Sequence, residues 1–187
     1  KQFSTIKKRA PNLTVVGIAG PGDALANPQA TFKTLRDIHK ADPNVQLCIS
    51  TNGLALAEHV MTLAVLGVNH LTITINCIDA EIGEKIYPWI FYNQKRLKGR
   101  IAAQTLIDRQ LLGLELAAKA DMLVKVNTVL IPGINDHHIA KVSEKVKSLG
   151  ATLHNIMPLI SDPSHGTYLG LSGQRGATDE ELEHVRE

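Results

Sequence analysis

An α/β fold with a parallel sheet is predicted by three features of the 187-residue sequence. Short apolar runs of strand length alternate with longer amphipathic runs. Helix-start signals stand between the two kinds of run. Within the apolar runs, polar residues hold the alternate positions. Repeated strand–helix units imply parallel strands with right-handed crossovers, in either a doubly wound sheet or a barrel. Periodicity alone does not choose between these two.

The first strand is expected at Leu13–Ile18, followed by a loop containing Gly20, Pro21, Gly22 and Asp23. Asn27 before Pro28 is an N-cap with proline at the first helical position, so a helix is expected over Pro28–Lys40. A second strand, Val45–Ile49, leads to a helix over Ala55–Leu66, and a third strand occupies His70–Asn76. A long helix, Arg100–Ala120, then returns the chain to a fourth strand, Leu123–Ile131. Asn135 or Asp136 is expected to cap the helix Ile139–Leu149, which precedes a fifth strand, Thr152–Leu159. Thr178 and Glu181 form a capping box for a last helix. The opening segment KQFSTIKKRAPNL reads as the tail of a helix.

Side-chain parity divides the strands into two faces, because successive residues point to opposite sides. Leu71, Ile73 and Ile75 oppose His70, Thr72, Thr74 and Asn76. Val45, Leu47 and Ile49 oppose Gln46, Cys48 and Ser50, while Val124 and Val126 oppose Lys125 and Asn127. A filled barrel interior is rich in Val, Ile and Leu. Buried polar groups need partners, so a polar inner face implies a wet or ligand-filled cavity.

Composition narrows the function classes. A 44% hydrophobic and 20% charged chain is that of a globular protein, and its net charge of +2 gives no nucleic-acid footprint or membrane-surface signature. No apolar run reaches the roughly 18 residues of a membrane span. Two cysteines, Cys48 and Cys77, argue against a disulfide framework and for a reducing, cytoplasmic setting.

Several residues could carry chemistry. The loop GIAGPGD lacks both the dinucleotide fingerprint and the Lys-Ser/Thr of a P-loop, and Asp23 would repel phosphate. It suits a cationic ligand such as an ammonium group, although a tight turn with an incidental Asp has the same sequence. Cys48 has inward parity near a strand's C-terminal end, where barrel sites are built, and thiolates ligate soft metals and iron–sulfur clusters. Cys77 has the opposite parity. Lys125 is better read as paired with an anion than as a Schiff-base lysine, since no second feature supports the latter. His137 and His138 read as a solvated helix start, and His70, His154 and His165 singly as structural. The segment IYPWIFYNQKRLKGR, aromatic and then basic, reads as a lid or partner surface, with an anionic ligand beneath it as a further reading.

Six segments stand in family-like order and spacing: VVGIAGPGDALAN, LCISTNGL, TITINCID, IYPWI, KVNTVLIPGIND and HNIMPLI with the HGT and GQ that follow. Together they resemble the radical S-adenosylmethionine (SAM) maturases that build the carbide-centred iron–sulfur precursor of the nitrogenase cofactor. The resemblance runs from about Leu13 to the C-terminus. TNG and KVNTVLIPGIND also resemble the wider radical SAM superfamily, including its molybdopterin branch, whereas GPGDALAN and IYPWI point to the nitrogenase branch. Ala24 stands where that family usually has proline.

The resemblance implies a partial (β/α)6 barrel, with residues 1–187 as one core supplying about the second to sixth strands. It places Gly22 and Asp23 at the methionine amino group of SAM. Thr74, Asn76, Asn127 and the backbone of Val126 fall along the SAM site, with Ser50 and Asn52 as further contacts. Cys48 is implied as a ligand of a substrate iron–sulfur cluster, and Cys77 is not required. The implied cofactors are SAM and [4Fe–4S] clusters, one cleaving SAM and two fused as substrates. One SAM would give a methyl group and a second a 5′-deoxyadenosyl radical, the carbon ending as the carbide of an eight-iron cluster. Implied partners are a cluster donor, an electron donor and downstream carrier or scaffold proteins. The family's CxxxCxxC loop and its C-terminal cysteines are absent from this sequence. A fragment is therefore expected, inactive by itself in radical chemistry. The alternatives are a molybdopterin-type maturase and a non-catalytic barrel that binds SAM or carries clusters.

Overall fold

Five parallel strands form one sheet in a computed structural model that describes residues 2–20 and 22–186. Lys1, Pro21 of the glycine loop and Glu187 lie outside the described residues. The strands are β1 (Val15–Ile18), β2 (Gln46–Thr51), β3 (Val68–Thr74), β6 (Leu123–Leu130) and β7 (Leu153–Pro158), side by side in chain order. That order settles what periodicity left open. A doubly wound sheet reverses its strand order at a switch point. Here it never reverses, so right-handed crossovers put the helices that connect its strands on one face and curl the sheet toward a partial barrel.

The helices are α1 (Gln2–Arg9), α2 (Pro28–Ala41), α3 (Val60–Val65), α4 (Ala80–Ile86), α5 (Gly99–Lys119), α6 (Ile139–Ser148), α7 (Tyr168–Leu171) and α8 (Asp179–Arg186). The expected helix over 55–66 is broken, a 3-10 turn at Leu56–Glu58 preceding the short α3. Besides the single-turn α7 and the 3-10 turn at Pro163–His165, two elements were not expected. One is α4, capped by the Asp79 carboxylate on Glu81 N–H. The other is an antiparallel hairpin of β4 (Trp89–Tyr92) and β5 (Lys95–Lys98). Its two turn residues, Asn93 and Gln94, have φ of 49° and 60°, the paired positive angles of a tight hairpin turn.

The parity argument holds on β2, β3 and β6. Leu47, Ile49, Leu71, Ile73, Val124 and Val126 are buried against the helices, and Cys48, Ser50, His70, Thr72, Thr74, Lys125 and Asn127 are half-buried on the inner face. Each fully buried Leu or Ile contributes about 1.5–3 kcal/mol, so this outer layer is the main source of the fold's stability. β1 departs from expectation: it is an edge strand, and Val15 is 47% exposed. Gly17 has its missing side chain on the inner face, where a Cβ would stand 3.7 Å from Cys48 Cβ.

The box at α8 forms as predicted, Glu181 N–H donating to Thr178 Oγ1 (3.1 Å) and Thr178 N–H to Glu181 (2.9 Å). The cap expected from Asn135 or Asp136 does not: Asp136 accepts Gly133 N–H at 3.1 Å, before the helix. A 3-10 turn, Asp136–His138, leads into α6, and the Asn135 side chain turns into the core instead. There it accepts Ile131 N–H at 2.8 Å and donates to the carbonyls of Asn76 (2.9 Å) and Val129 (2.8 Å). Among the described residues, no helix is long and apolar enough to cross a membrane.

Two histidines, the buried His138 and the half-buried His154, have their pKa values lowered by burial. His154 contacts Ser143 Oγ (2.7 Å) and Thr128 Oγ1 (2.8 Å), and burial pushes its pKa down. His138 accepts Ile78 N–H through Nε2 at 3.1 Å and is shifted down chiefly by burial. It is buried, not part of a solvated helix start, whereas His137 is exposed beside Asp136. A histidine with a lowered folded pKa stabilises the fold fully above its unfolded value, about pH 6.5, and less as pH falls through that value. Thermal melting is therefore expected to be level above about pH 6.5 and to drop below it, and His154→Gln should reduce the drop. Melting curves at stepped pH check this.

Candidate functional site

The glycine loop after β1 is closed by Asp23. Its carboxylate accepts Leu25 N–H at 2.8 Å, the Thr51 hydroxyl at 3.0 and 2.9 Å, and the N–H of Asn52. Asp23 thus staples the loop after β1 to the end of β2. Gly22 lets the chain turn into this staple, at φ 82°, where an L side chain would be strained. Asn52 Oδ1 in turn accepts Leu54 N–H at 2.9 Å, fixing the loop after β2.

A cavity of about 640 Å³ opens above these strand ends. Asp23, Asn52, Thr74 and Asn76 line it, together with Tyr87, the hairpin residues Trp89–Gln94, and Leu106 and Gln110 of α5. Its polar wall comes from the ends of the strands and its aromatic wall from the hairpin. The hairpin forms one rim of the cavity and is anchored to α5 by Ile90, which is buried with Ala102 and Leu106. Trp89 and Phe91 remain 47% and 60% exposed, and the Arg96 guanidinium stacks 4.5 Å from the Trp89 ring.

Four of the eight residues expected at a SAM site therefore share one cavity. Gly22 adjoins it through Asp23. Ser50 and Asn127 sit on the inner face of the sheet; Ser50 is in register with Thr72, and Asn127 with Thr74 and Asn155. Asn127 Oδ1 accepts the Asn155 amide at 3.2 Å. Val126 has its side chain buried in the helix-facing core, so only its backbone is available to the inner side. Asn76 is itself largely committed, its Oδ1 accepting Val129 N–H at 2.9 Å.

The two cysteines occupy different environments. Cys48 is half-buried on the inner face, in register with His70. Burial pushes its thiol up, while Thr72 and the charge of Lys125 act in the opposite direction. Cys77 is buried beneath α4 and its thiol is pushed up to about 12 by burial. His70 contacts Asn69 Oδ1 at 2.8 Å, and His165 is exposed in a 3-10 turn. No group of three or more His, Cys, Asp or Glu side chains is placed to hold a metal ion among the described residues.

Sequence reasoning missed Gln110, Tyr87 and the inward role of Asn135. Gln110 carried a signal: it is a carboxamide within the buried stripe Leu106, Ile107, Gln110, Gly113 and Leu114 of α5. It is 1% exposed. The Tyr87 hydroxyl faces the side chains of Asn76 and Gln110, and burial strongly raises its pKa.

The chain is 54% identical over 187 residues to the FeMo cofactor biosynthesis protein NifB of Herbaspirillum seropedicae, all of this chain and 36% of that protein. It is 57% identical over 177 residues to NifB of Bradyrhizobium diazoefficiens, 95% of this chain and 36% of that protein. NifB of Frankia alni is 50% identical over 186 residues, again spanning 36% of that protein. The chain thus covers little more than a third of each of these relatives. Among solved structures, the radical SAM methyltransferase TsrM from Kitasatospora setae, with tryptophan substrate and a SAM analogue, superimposes with a TM-score of 0.55 at 13% identity, covering 79% of this chain and 28% of that one. TsrM with cobalamin and a [4Fe–4S] cluster gives 0.55 and 13%, over 87% and 29%. At that identity the likeness is one of fold. Residues 5–146 match the Radical SAM superfamily, and with the strand order and relatives above, the chain belongs to that superfamily.

Proposed function

We propose that this chain is the barrel core of a nitrogenase-cofactor maturase, an enzyme that fuses two [4Fe–4S] clusters and inserts a SAM-derived carbide to form the eight-iron precursor. The observation that carries the reading is the cavity at the strand ends, where Asp23, Asn52, Thr74 and Asn76 converge. Roughly half-identical relatives named for FeMo cofactor biosynthesis support the placing in that pathway, and the cluster fusion and carbide insertion are what the resemblance of the sequence segments implies.

The residues fit SAM. A cavity of about 640 Å³ is within the usual size of small-molecule sites, and it joins amide and hydroxyl groups to an aromatic wall. Gly22 and Asp23 would hold the methionine end. Three donors, from Leu25, Thr51 and Asn52, already bond the Asp23 carboxylate, so mainly its negative charge, acting through the loop, would favour the ammonium group. Thr74, Asn76, Asn127, Ser50, Asn52 and the Val126 backbone would line the rest of the path. When bound, SAM supplies a methyl group and, on reductive cleavage, a 5′-deoxyadenosyl radical. The barrel orients it and excludes water.

The SAM-cleaving [4Fe–4S] cluster does not fit this chain's residues, because Cys48 and Cys77 are its only cysteines and stand in separate environments. No step is derived through it. Cys48 suits a different task, as a ligand to a substrate cluster entering along the inner face, where Lys125 would offset cluster charge. The cluster donor, electron donor and downstream carrier are proposed as partners of the whole protein, in the cytoplasm.

The test uses the full-length protein, reconstituted anaerobically with iron and sulfide and given SAM and a reductant. Formation of both 5′-deoxyadenosine and S-adenosylhomocysteine is the expected result. A cluster-loaded protein that makes neither product would instead be a carrier. Cys48→Ala should lower bound iron while Cys77→Ala should not, as iron assay of the two variants will tell.

A further inference from the structure

The polar wall of the cavity depends on one side chain that comes from the helix layer. Gln110 projects from α5, and its Nε2 donates to the carbonyl of Asn52 at 2.8 Å and to that of Thr74 at 2.9 Å. These carbonyls end two different strands, β2 and β3. Both amide protons are therefore spent on holding the two strand ends at a fixed separation. Asn52 is tied in turn to Asp23, so the chain of contacts reaches the glycine loop after β1. On the other side, the Tyr87 hydroxyl faces Gln110 at the base of the hairpin. A carboxamide that is 1% exposed in a helix stripe of Leu, Ile and Ala has no packing reason to be there. A leucine would fill the space and take the Gln110 donor from two carbonyls, that of Thr74 half-buried and that of Asn52 at the cavity edge.

We infer that Gln110 is a positioning residue: it sets the spacing of the Asn52 and Thr74 strand ends and thereby the affinity of the cavity for SAM. The inference rests on the reading of the cavity as a SAM site. Gln110 acts through those backbone groups and touches no reacting atom.

The experiment is equilibrium SAM binding to the full-length, cluster-reconstituted protein, wild type against Gln110→Leu and Gln110→Glu, with the ligand-free melting temperature of each. In Gln110→Leu the SAM Kd should rise by about tenfold or more, corresponding to one lost buried hydrogen bond or so. A lower melting temperature with an unchanged Kd, measured well below melting, would overturn the inference, since it would show a structural role only. Gln110→Glu keeps the size and remains informative if the leucine variant does not fold. Its ionised carboxylate faces two carbonyls, whereas the protonated form returns one donor. Its SAM affinity relative to wild type should therefore improve as pH falls from about 8 to about 6. A flat ratio across that range would count against the inference. If wild type itself binds no SAM, the reading of the cavity fails. If wild type and both variants bind equally, only the role of Gln110 fails.

Discussion

Asn135→Leu is expected to lower the unfolding free energy by about 3–6 kcal/mol, because it strips a partner from two buried backbone groups at about 1–3 kcal/mol each and from one half-buried group at the low end of that range. These are the N–H of Ile131 and the carbonyls of Asn76 and Val129. Asn135 is 0% exposed, so water cannot take its place without opening the core. The leucine would restore the volume but none of the hydrogen bonds. A loss of this size is exceptional for one substitution, and urea denaturation followed by circular dichroism would measure it. Asp136→Ala is the control. Asp136 accepts Gly133 N–H at 3.1 Å near the surface, and its removal should cost under about 1 kcal/mol. If the two variants were equally harmful, the clasp would not be the reason for Asn135.

Gly53→Ala is expected to cost about 2–5 kcal/mol, combining a strained backbone with overpacking. Gly53 has a φ of 84°, in the left-handed region that L residues avoid. A Cβ there would lie 2.8 Å from Gln110 Cγ, 3.1 Å from Ile73 Cγ2 and 3.3 Å from Gln110 Cα. The last of these is backbone within a helix and cannot step aside. For a domain of this size the melting temperature should fall by roughly 5–15 °C, as calorimetry can show. Gly133→Ala serves for comparison: its φ is 76°, but a Cβ would meet nothing within 4 Å. Only the strain remains, and the loss should be about 1–2 kcal/mol. Equal losses at the two glycines would remove the steric part of the argument.

The legible parts of this protein are those with a period. Alternation along LCIS, HLTITIN and LVKVN separates the two faces of the sheet, because a strand gives each face every second residue. Pro28 and Thr178 marked helix starts for reasons local to four or five residues. The loop after β1 was also legible as something other than a phosphate site, because one carboxylate excludes one class of ligand. By contrast, Asn135 looked locally like a cap, and a cap is what its sequence neighbours support. Its partner at Asn76 is 59 positions away. No window along the chain contains that pair.

The hairpin was harder for a different reason. Trp89–Tyr92 and Lys95–Lys98 are four residues each, joined by Asn93 and Gln94 without the glycine that usually announces such a turn. Its aromatic and basic content indicated a surface function. That it forms a rim of the cavity depends on Ile90 packing on α5.

The sequence by itself determined the class of the fold, the two faces of the sheet and the end of it at which a site would form, since these follow from periodicity and from the chain direction of parallel strands. The tertiary structure decided the rest: a singly wound strand order, Asp23 stapled to Thr51 and Asn52, and the strand ends bridged by Gln110. Each of these is a pairing between residues far apart in the chain. A hydrogen bond of that kind has its energy in geometry that only the folded backbone supplies, so local sequence carries no record of it.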